Sequence, residues 1–286
     1  MAKCEVCFRQ CVLSEGQTGA CIARICRDGK VQPAFYGRLS SLALDPIEKK
    51  PLYRFYPGSM ILSAGSLGCN LHCAFCQNHE IAQADENGQF SVPTDEVSPE
   101  KLVEIAAYYR RKGNIGIAFT YNEPLVGYEY VRDTAKLAHE KGLKCVLVTN
   151  GTASLPVLAE IIPYMDAMNI DLKGFTDRYY REVLKGDRQM TMAFIREAVK
   201  RCHVELTTLI VPGENDSREE MLELSGWIAG LEDVSGGKTG RDIPLHISRF
   251  FPRYRMTDRG PTDVKTVYEL VEAAKQNLKY VYPGNC

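Results

Sequence analysis

The sequence predicts an α/β protein, a partial TIM-like (β/α)6 barrel carrying a cysteine-rich N-terminal extension. Three observations predict it. Six apolar, strand-like runs between residues 59 and 252 are each followed by a helix-like stretch, the alternation that makes βαβ units and a parallel sheet. No GxGxxG turn joins them, which favours a barrel over a dinucleotide-binding sheet. The eleven cysteines are clustered, five of them before residue 27 and three in "SLGCNLHCAFCQN", Ser66 to Asn78. The expected division is a cysteine-rich leader and irregular segment over 1–58, packed on a barrel over 59–286.

Residues 1–30 place glycine and charged residues between thiols. "YGRLSSLALDPIEKKPLYRFYPGS" is rich in turn and aromatic residues and reads as irregular structure laid against a core. "MILSAGSLG" is the first strand, running into a glycine-containing loop. Ser98 and Pro99 then supply an N-cap and a first helical position for "EKLVEIAAYYRRKG", with Gly113 as its stop. The alternation continues with "IGIAFTYNEP" before "VGYEYVRDTAKLAHEKG", "KCVLVTNG" before "LPVLAEIIPYM", and "AMNIDLKG" before "MTMAFIREAVKRC". "HVELTTLIVPGEND" precedes "SREEMLELSGWIAGL", and "IPLHISRFFP" precedes "TDVKTVYELVEAAKQNL". "YVYPGN" is a short last strand.

Hydrophobic residues make up 45% and charged residues 25%, the balance of a soluble globular protein. The formal net charge of -1 argues against a general nucleic-acid binder, whose phosphate contacts need a basic surplus. "MAKCEVCFRQC" has no apolar signal-peptide region, and no apolar run approaches the roughly 18–20 residues of a membrane span. The expected location is the cytoplasm. Clustered short cysteine spacings there favour metal over disulfides.

Cys69, Cys73 and Cys76 are spaced C-x3-C-x2-C just past the first strand, where parallel α/β folds place their chemistry. Three thiolates can hold three irons of a cubic [4Fe–4S] cluster and leave the fourth open, as catalytic metal sites do. The alternative is a structural zinc site that borrows His72 or His79. Cys4, Cys7, Cys11 and Cys21 are spaced C-x2-C-x3-C-x9-C, with Cys26 left over. Four thiolates in a short leader suit a closed site, either zinc or a second iron–sulfur cluster, and spacing does not choose between them. Cys145 and Cys202 read as buried apolar residues.

The C-x3-C-x2-C loop, with Phe75 just before its last cysteine, resembles the radical S-adenosylmethionine (SAM) superfamily. The resemblance implies that the methionine end of SAM chelates the open iron. Reductive cleavage would then release a 5′-deoxyadenosyl radical that abstracts hydrogen from a substrate, so the missing fourth ligand is SAM itself. "TYNEP" resembles the Thr-Gly-Gly-Glu-Pro-like motif of pyruvate formate-lyase activating enzymes, with Glu123 and Pro124 kept and Tyr121 and Asn122 in place of the glycines. On that likeness Asn122 and Glu123, Thr149 and Asn150 of "TNG", Asp171 and Lys173 of "DLKG", and Asn215 of "VPGEND" are candidates for placing SAM. Glu123 would accept from its ammonium, Lys173 would pair with its carboxylate, and Asn215 would contact its adenosine. His246, Arg249, Arg253 and Arg255 in "HISRFFPRYRMTDRG" are expected at the barrel mouth, for an anionic or peptide substrate.

The leader, "LDPIEKKPLYRFYPGS", "NIDLKGF", "SRFFPRYRMTD" and "YVYPGN" further resemble the radical SAM enzymes of the AmmeMemoRadiSam system, kin of those activating enzymes. The resemblance implies an electron donor of flavodoxin or ferredoxin type, and a protein or small-molecule substrate. No residue is assigned to the abstraction itself. The rival functions are a metal-binding interaction module without radical chemistry, and RNA modification.

Overall fold

The computed structural model describes residues 1–286. Its central sheet has eight strands: β1 (Ser41–Pro46), β2 (Met60–Gly65), β3 (Asn114–Phe119), β4 (Lys144–Thr149), β5 (Ala167–Asp171), β6 (His203–Ile210), β7 (Leu245–Arg249) and β8 (Val281–Gly284). They lie side by side in chain order. β2 to β8 are parallel, and β1 pairs antiparallel with β2, Ser41 opposite Gly65 and Pro46 opposite Met60. β1 and β8 do not pair, so the barrel stays open along one side.

Six helices fill the crossovers: α1 (Pro99–Tyr108), α2 (Tyr128–Glu140), α3 (Leu155–Ile161), α4 (Arg188–Ala198), α5 (Arg218–Ala229) and α6 (Val264–Ala274). Their starts follow from capping chemistry. Ser98, Asp187, Ser217 and Asp263 each accept a hydrogen bond from a backbone N–H of the first turn, which otherwise has no partner. Gly113 ends the first crossover at φ +82°, a left-handed conformation that favours glycine.

The period-two pattern of the strands separates two layers. Leu62, Ile117, Leu147 and Met168 face the helices in the main core. Their neighbours Ile61, Ala118, Val146 and Ala167 face inward and pack on Ile47, Leu52 and Phe55, which plug the barrel. A buried carboxylate fastens the plug. Glu205 accepts from the Tyr53 and Arg54 amides at 3.0 and 2.7 Å, and its oxygens lie 2.9 Å from His203 Nε2 and 2.7 Å from His246 Nε2. Burial opposes the charge on Glu205, but the hydrogen bonds of His203, His246 and Arg54 outweigh it and hold its pKa at about 2.

Two expectations change here. Residues 31–58 are not irregular throughout, because "SLALDP" is edge strand β1. Leu42 and Ala43 are both exposed, so the strand lacks the alternation that announces a half-buried one. His246 is not at the mouth: it is buried against Glu205 inside the barrel. Cys145 and Cys202 are buried, as expected. No helix is long and apolar enough to cross a membrane.

Candidate functional site

β2 ends at Gly65 and enters the loop carrying Cys69, Cys73 and Cys76. Gly68 turns this loop at φ +90°, and a Cβ there would stand 2.6 Å from the Cys21 carbonyl oxygen, so glycine is required twice over. The loop is pinned by backbone bonds from Gly68 N–H to Ile81 O (2.8 Å) and from His72 N–H to Leu184 O (2.9 Å). Leu71, Cys73 and Phe75 pack with Tyr179, Tyr180 and Phe250 in a small core of their own. Phe75 meets Phe250 edge-on at 6.1 Å. Such bracing fixes the directions of the thiols.

Burial pushes the Cys73 thiol up to about 12, although Lys173 pulls the other way, and burial likewise raises Cys69. These are neutral thiols that give up protons when a metal binds. No three His, Cys, Asp or Glu side chains of the protein stand close enough to hold one metal ion. Of the alternative zinc ligands, His72 is engaged elsewhere, its Nδ1 lying 2.6 Å from Gln83 Oε1, and the His79 ring stacks on Tyr254 at 4.5 Å. Thiols spread more widely suit a polynuclear cluster, whose sulfides bridge several irons. Two buried polar atoms of the surrounding residues, the Tyr179 hydroxyl and His79 Nδ1, have no partner within the chain. Spread thiols, a nearby cation and orphaned polar atoms together fit an anionic cluster with a polar ligand on its open side.

The other strand ends supply that polar surround. After β3, Asn122 ties "TYNEP" to the cysteine loop: Oδ1 accepts from Ser66 N–H (3.0 Å) and Nδ2 donates to Gly68 O (3.1 Å). Glu123 is 2% exposed, and its carboxylate accepts from the Thr149 hydroxyl (2.7 Å), Asn150 N–H (2.7 Å) and Leu125 N–H (3.1 Å). Burial raises its pKa to about 7 despite these donors, and Asp171 adds to the rise. Of roughly four lone-pair sites on a carboxylate, one is left for a further donor.

Asn150, past the end of β4, reaches one of the thiols. Its Nδ2 donates to Asn70 Oδ1 at 2.9 Å and reaches Cys69 Sγ at 3.6 Å. At the end of β5, Lys173 Nζ pairs with Asp171 Oδ2 at 2.6 Å. Burial works against the charge on Lys173, yet Asp171 and Cys73 hold its pKa above the usual value. Asn215 spends both amide hydrogens on the Lys173 and Leu209 carbonyls, at 2.7 and 2.9 Å, and so clamps the β6 loop to the β5 loop.

Cys69, Cys73, Glu123, Thr149, Asn150, Asp171 and Lys173 therefore meet in one region, while Asn122 and Asn215 brace the loops behind them. Arg253 and Arg255 are exposed beside it, the Arg255 amide donating to Ala74 O at 2.8 Å, whereas Arg249 donates to Thr262 O. Three further residues belong to the region. Asn70, between Cys69 and Cys73, and Asn78, two residues past Cys76, lie inside the cysteine stretch, where an amide beside the thiols was the available signal; Asn78 Nδ2 donates to Tyr121 O at 2.7 Å. Tyr179 starts a short π-type turn, Tyr179–Val183, that no sequence pattern marks.

A family model for the radical SAM superfamily matches residues 65–225. The chain is 39% identical over 286 residues to an uncharacterized protein of Methanocaldococcus jannaschii, covering 99% of this chain and 81% of that one. It is 25% identical over 173 residues to the pyruvate formate-lyase 1-activating enzyme of Escherichia coli K12, covering 58% of this chain and 68% of that enzyme. Among solved structures, SuiB of Streptococcus suis superimposes with a TM-score of 0.58 at 14% identity, over 78% of this chain and 48% of that one, a likeness of fold alone.

Proposed function

Since this chain belongs to the radical SAM superfamily, a family that implies a [4Fe–4S] cluster and SAM, we propose that Cys69, Cys73 and Cys76 are the thiolates that hold the cluster. The observation that carries the proposal is the meeting of these thiols with Asn150 and the Lys173–Asp171 pair at the strand ends. Held by these thiolates, the cluster would supply the single electron needed for reductive cleavage of SAM, the chemistry that enables hydrogen abstraction from a substrate.

The chain's own residues place the reactants. Lys173 offers a cation to the methionine carboxylate, held in direction by Asp171. Glu123 offers its remaining lone pair to the methionine ammonium. A cation there favours the ionised carboxylate, so binding draws a proton off a group poised near neutrality. Thr149 and Asn122 act one step back, fixing Glu123 and the cysteine loop. Asn150 donates toward Cys69, and Asn215 keeps the Lys173 loop in register.

The substrate is a C–H bond of a protein glycine or of a small organic molecule, and the electron comes from a low-potential donor of flavodoxin or ferredoxin class. The 25% identity to an activating enzyme supports the protein glycine. Eleven free cysteines support a reducing, cytoplasmic setting. The test is anaerobic: wild type and Cys73→Ala receive dithionite and SAM, and 5′-deoxyadenosine is assayed. Wild type forms it and the variant does not. Full iron in wild type with no 5′-deoxyadenosine would overturn the proposal.

A further inference from the structure

The leader brings together a second set of thiols. Cys4 N–H donates to Cys11 O at 2.8 Å across a short hairpin, Ala2–Lys3 against Val12–Leu13. Gln10 N–H closes a turn on Cys7 O at 3.2 Å, and Ile22 N–H closes another on Gly19 O at 2.8 Å around Cys21. Gln10 and Ile22 take φ of 42° and 61°, left-handed conformations that a β-branched residue such as Ile22 adopts only under constraint. The outcome is that Cys4, Cys7, Cys11 and Cys21 line one cavity, together with Arg9 and Arg24. Cys26 is not in its wall, and its thiol points to Glu15 Oε2.

We propose that Cys4, Cys7, Cys11 and Cys21 hold an iron–sulfur cluster, not a single zinc ion. Tetrahedral zinc with Zn–S bonds of ~2.3 Å draws its sulfurs to about 3.8 Å from one another. No three of these thiols stand close enough to share one ion, and the same holds for Cys69, Cys73 and Cys76. Bridging sulfides let four thiolates surround a cluster from farther apart.

Arg24 supplies an independent sign of an anionic occupant. This cavity-lining residue is 4% exposed, its Nη1 pairs with Glu129 Oε2 at 2.7 Å, and its buried Nε has no partner at all. A buried guanidinium N–H is costly to leave unmet, and thiolate or sulfide sulfur would accept from it.

This site abuts the first one. The Cys21 carbonyl packs against Gly68, next to Cys69. Arg9, in the wall of the leader cavity, donates from Nε to Asn70 O at 2.8 Å; Asn70 Oδ1 accepts from Asn150 at 2.9 Å, and Asn150 reaches Cys69 Sγ at 3.6 Å.

The test uses the full chain with Cys69, Cys73 and Cys76 all changed to alanine, so that only the leader set remains. After anaerobic treatment with ferrous iron, sulfide and zinc together, iron, zinc and acid-labile sulfide are counted and a Mössbauer spectrum is recorded. The expected result is about two or four irons per chain with matching sulfide. One zinc without sulfide, or no metal in a folded chain, overturns the proposal. Should that variant not fold, Cys7→Ser/Cys21→Ser in the otherwise intact chain gives the same answer by difference. Its iron must fall below that of wild type while 5′-deoxyadenosine formation from SAM reports separately on the Cys69, Cys73 and Cys76 set; unchanged iron refutes the leader cluster. Absence of SAM cleavage in wild type, with the leader iron present, would count against the proposed function and not against this site.

Discussion

The most direct test of how leader and barrel are joined is Gly68→Ala. Two costs add. A residue with a Cβ at φ +90° carries about 1–2 kcal/mol of backbone strain. Its Cβ would also lie 2.6 Å from the Cys21 carbonyl oxygen and 2.9 Å from the Ala23 Cβ, a backbone atom and a side chain too short to swing away. Carbon and oxygen rest about 3.3–3.6 Å apart, so the loop must shift by several tenths of an ångström, an overpacking cost of about 1–3 kcal/mol. The sum is about 2–5 kcal/mol, local to the junction. Gly16→Ala is the control, because Gly16 has a similar φ of +76° and nothing within 4 Å of the added Cβ. Native-state hydrogen exchange reads the difference. The amides of Gly68 and Glu123, bonded to Ile81 O and Gly68 O, exchange at least about thirty-fold faster in Gly68→Ala, at roughly 1.4 kcal/mol per decade. Exchange unchanged within about two-fold would refute the close approach of Cys21 to the loop.

Glu205→Gln removes a buried carboxylate whose pKa is held at about 2, below the ordinary 4.5. A depressed acid contributes stability above its unfolded pKa and loses it as pH falls, so wild type loses about 3 kcal/mol between pH 4.5 and 2 through this group. The variant is less stable at neutral pH and shows a correspondingly flatter acid-unfolding profile, followed by the fluorescence of Trp227. An equally steep acid limb would sink the assignment. Asn150→Ala deletes the amide beside Cys69, and SAM cleavage falls about 10–100-fold while Cys69, Cys73 and Cys76 keep their iron, as for other residues that orient metal ligands. The potential of that cluster also moves negative, which spectroelectrochemistry would register; an unmoved potential would mean that the 3.6 Å contact does nothing for the metal. Lys173→Ala leaves Asp171 without its partner and raises the KM for SAM about 10–100-fold, the value of one charge-assisted hydrogen bond. A change confined to kcat would place Lys173 away from the SAM carboxylate.

Local rules that act within a few residues were legible in the sequence. Ser98–Pro99 and Gly113 delimit the first crossover because caps and left-handed stops depend on neighbours alone. The cysteine loop was legible for a related reason, since thiol spacing sets what one loop can present. β1 was not legible, because an edge strand with exposed Leu42 and Ala43 has no buried face to write into its sequence. His246 was misplaced because its number says only that it lies early in a strand; depth within the barrel is fixed by pairing β7 with β6, which sets His246 beside Thr207 and brings Glu205 within reach. The partners of Glu123 and Asn215 on other strand ends, the Thr149 hydroxyl, the Asn150 amide and the Lys173 carbonyl, were equally out of reach.

Those partners bear on how the site works. Glu123 and Asn215 are 2% and 3% exposed, and most of their bonding capacity is spent on this chain. Flexible polar side chains at a loop cluster would have to be ordered whenever a ligand arrived, and that ordering opposes binding. Here the order is already built in. Glu123 bridges the ends of β3 and β4, Asn215 bridges β6 and β5, and Asn122 fixes the loop that follows β2. The reactive groups, the three loop thiols and the Lys173 ammonium with its partner Asp171, stand on loops that these braces hold in place. It follows that removing a brace and removing a reactive group should differ in kind. Asn215→Ala should loosen the β5 and β6 loops and weaken every ligand of the mouth together, whereas Cys73→Ala should abolish metal binding at one site and leave the loops as they are.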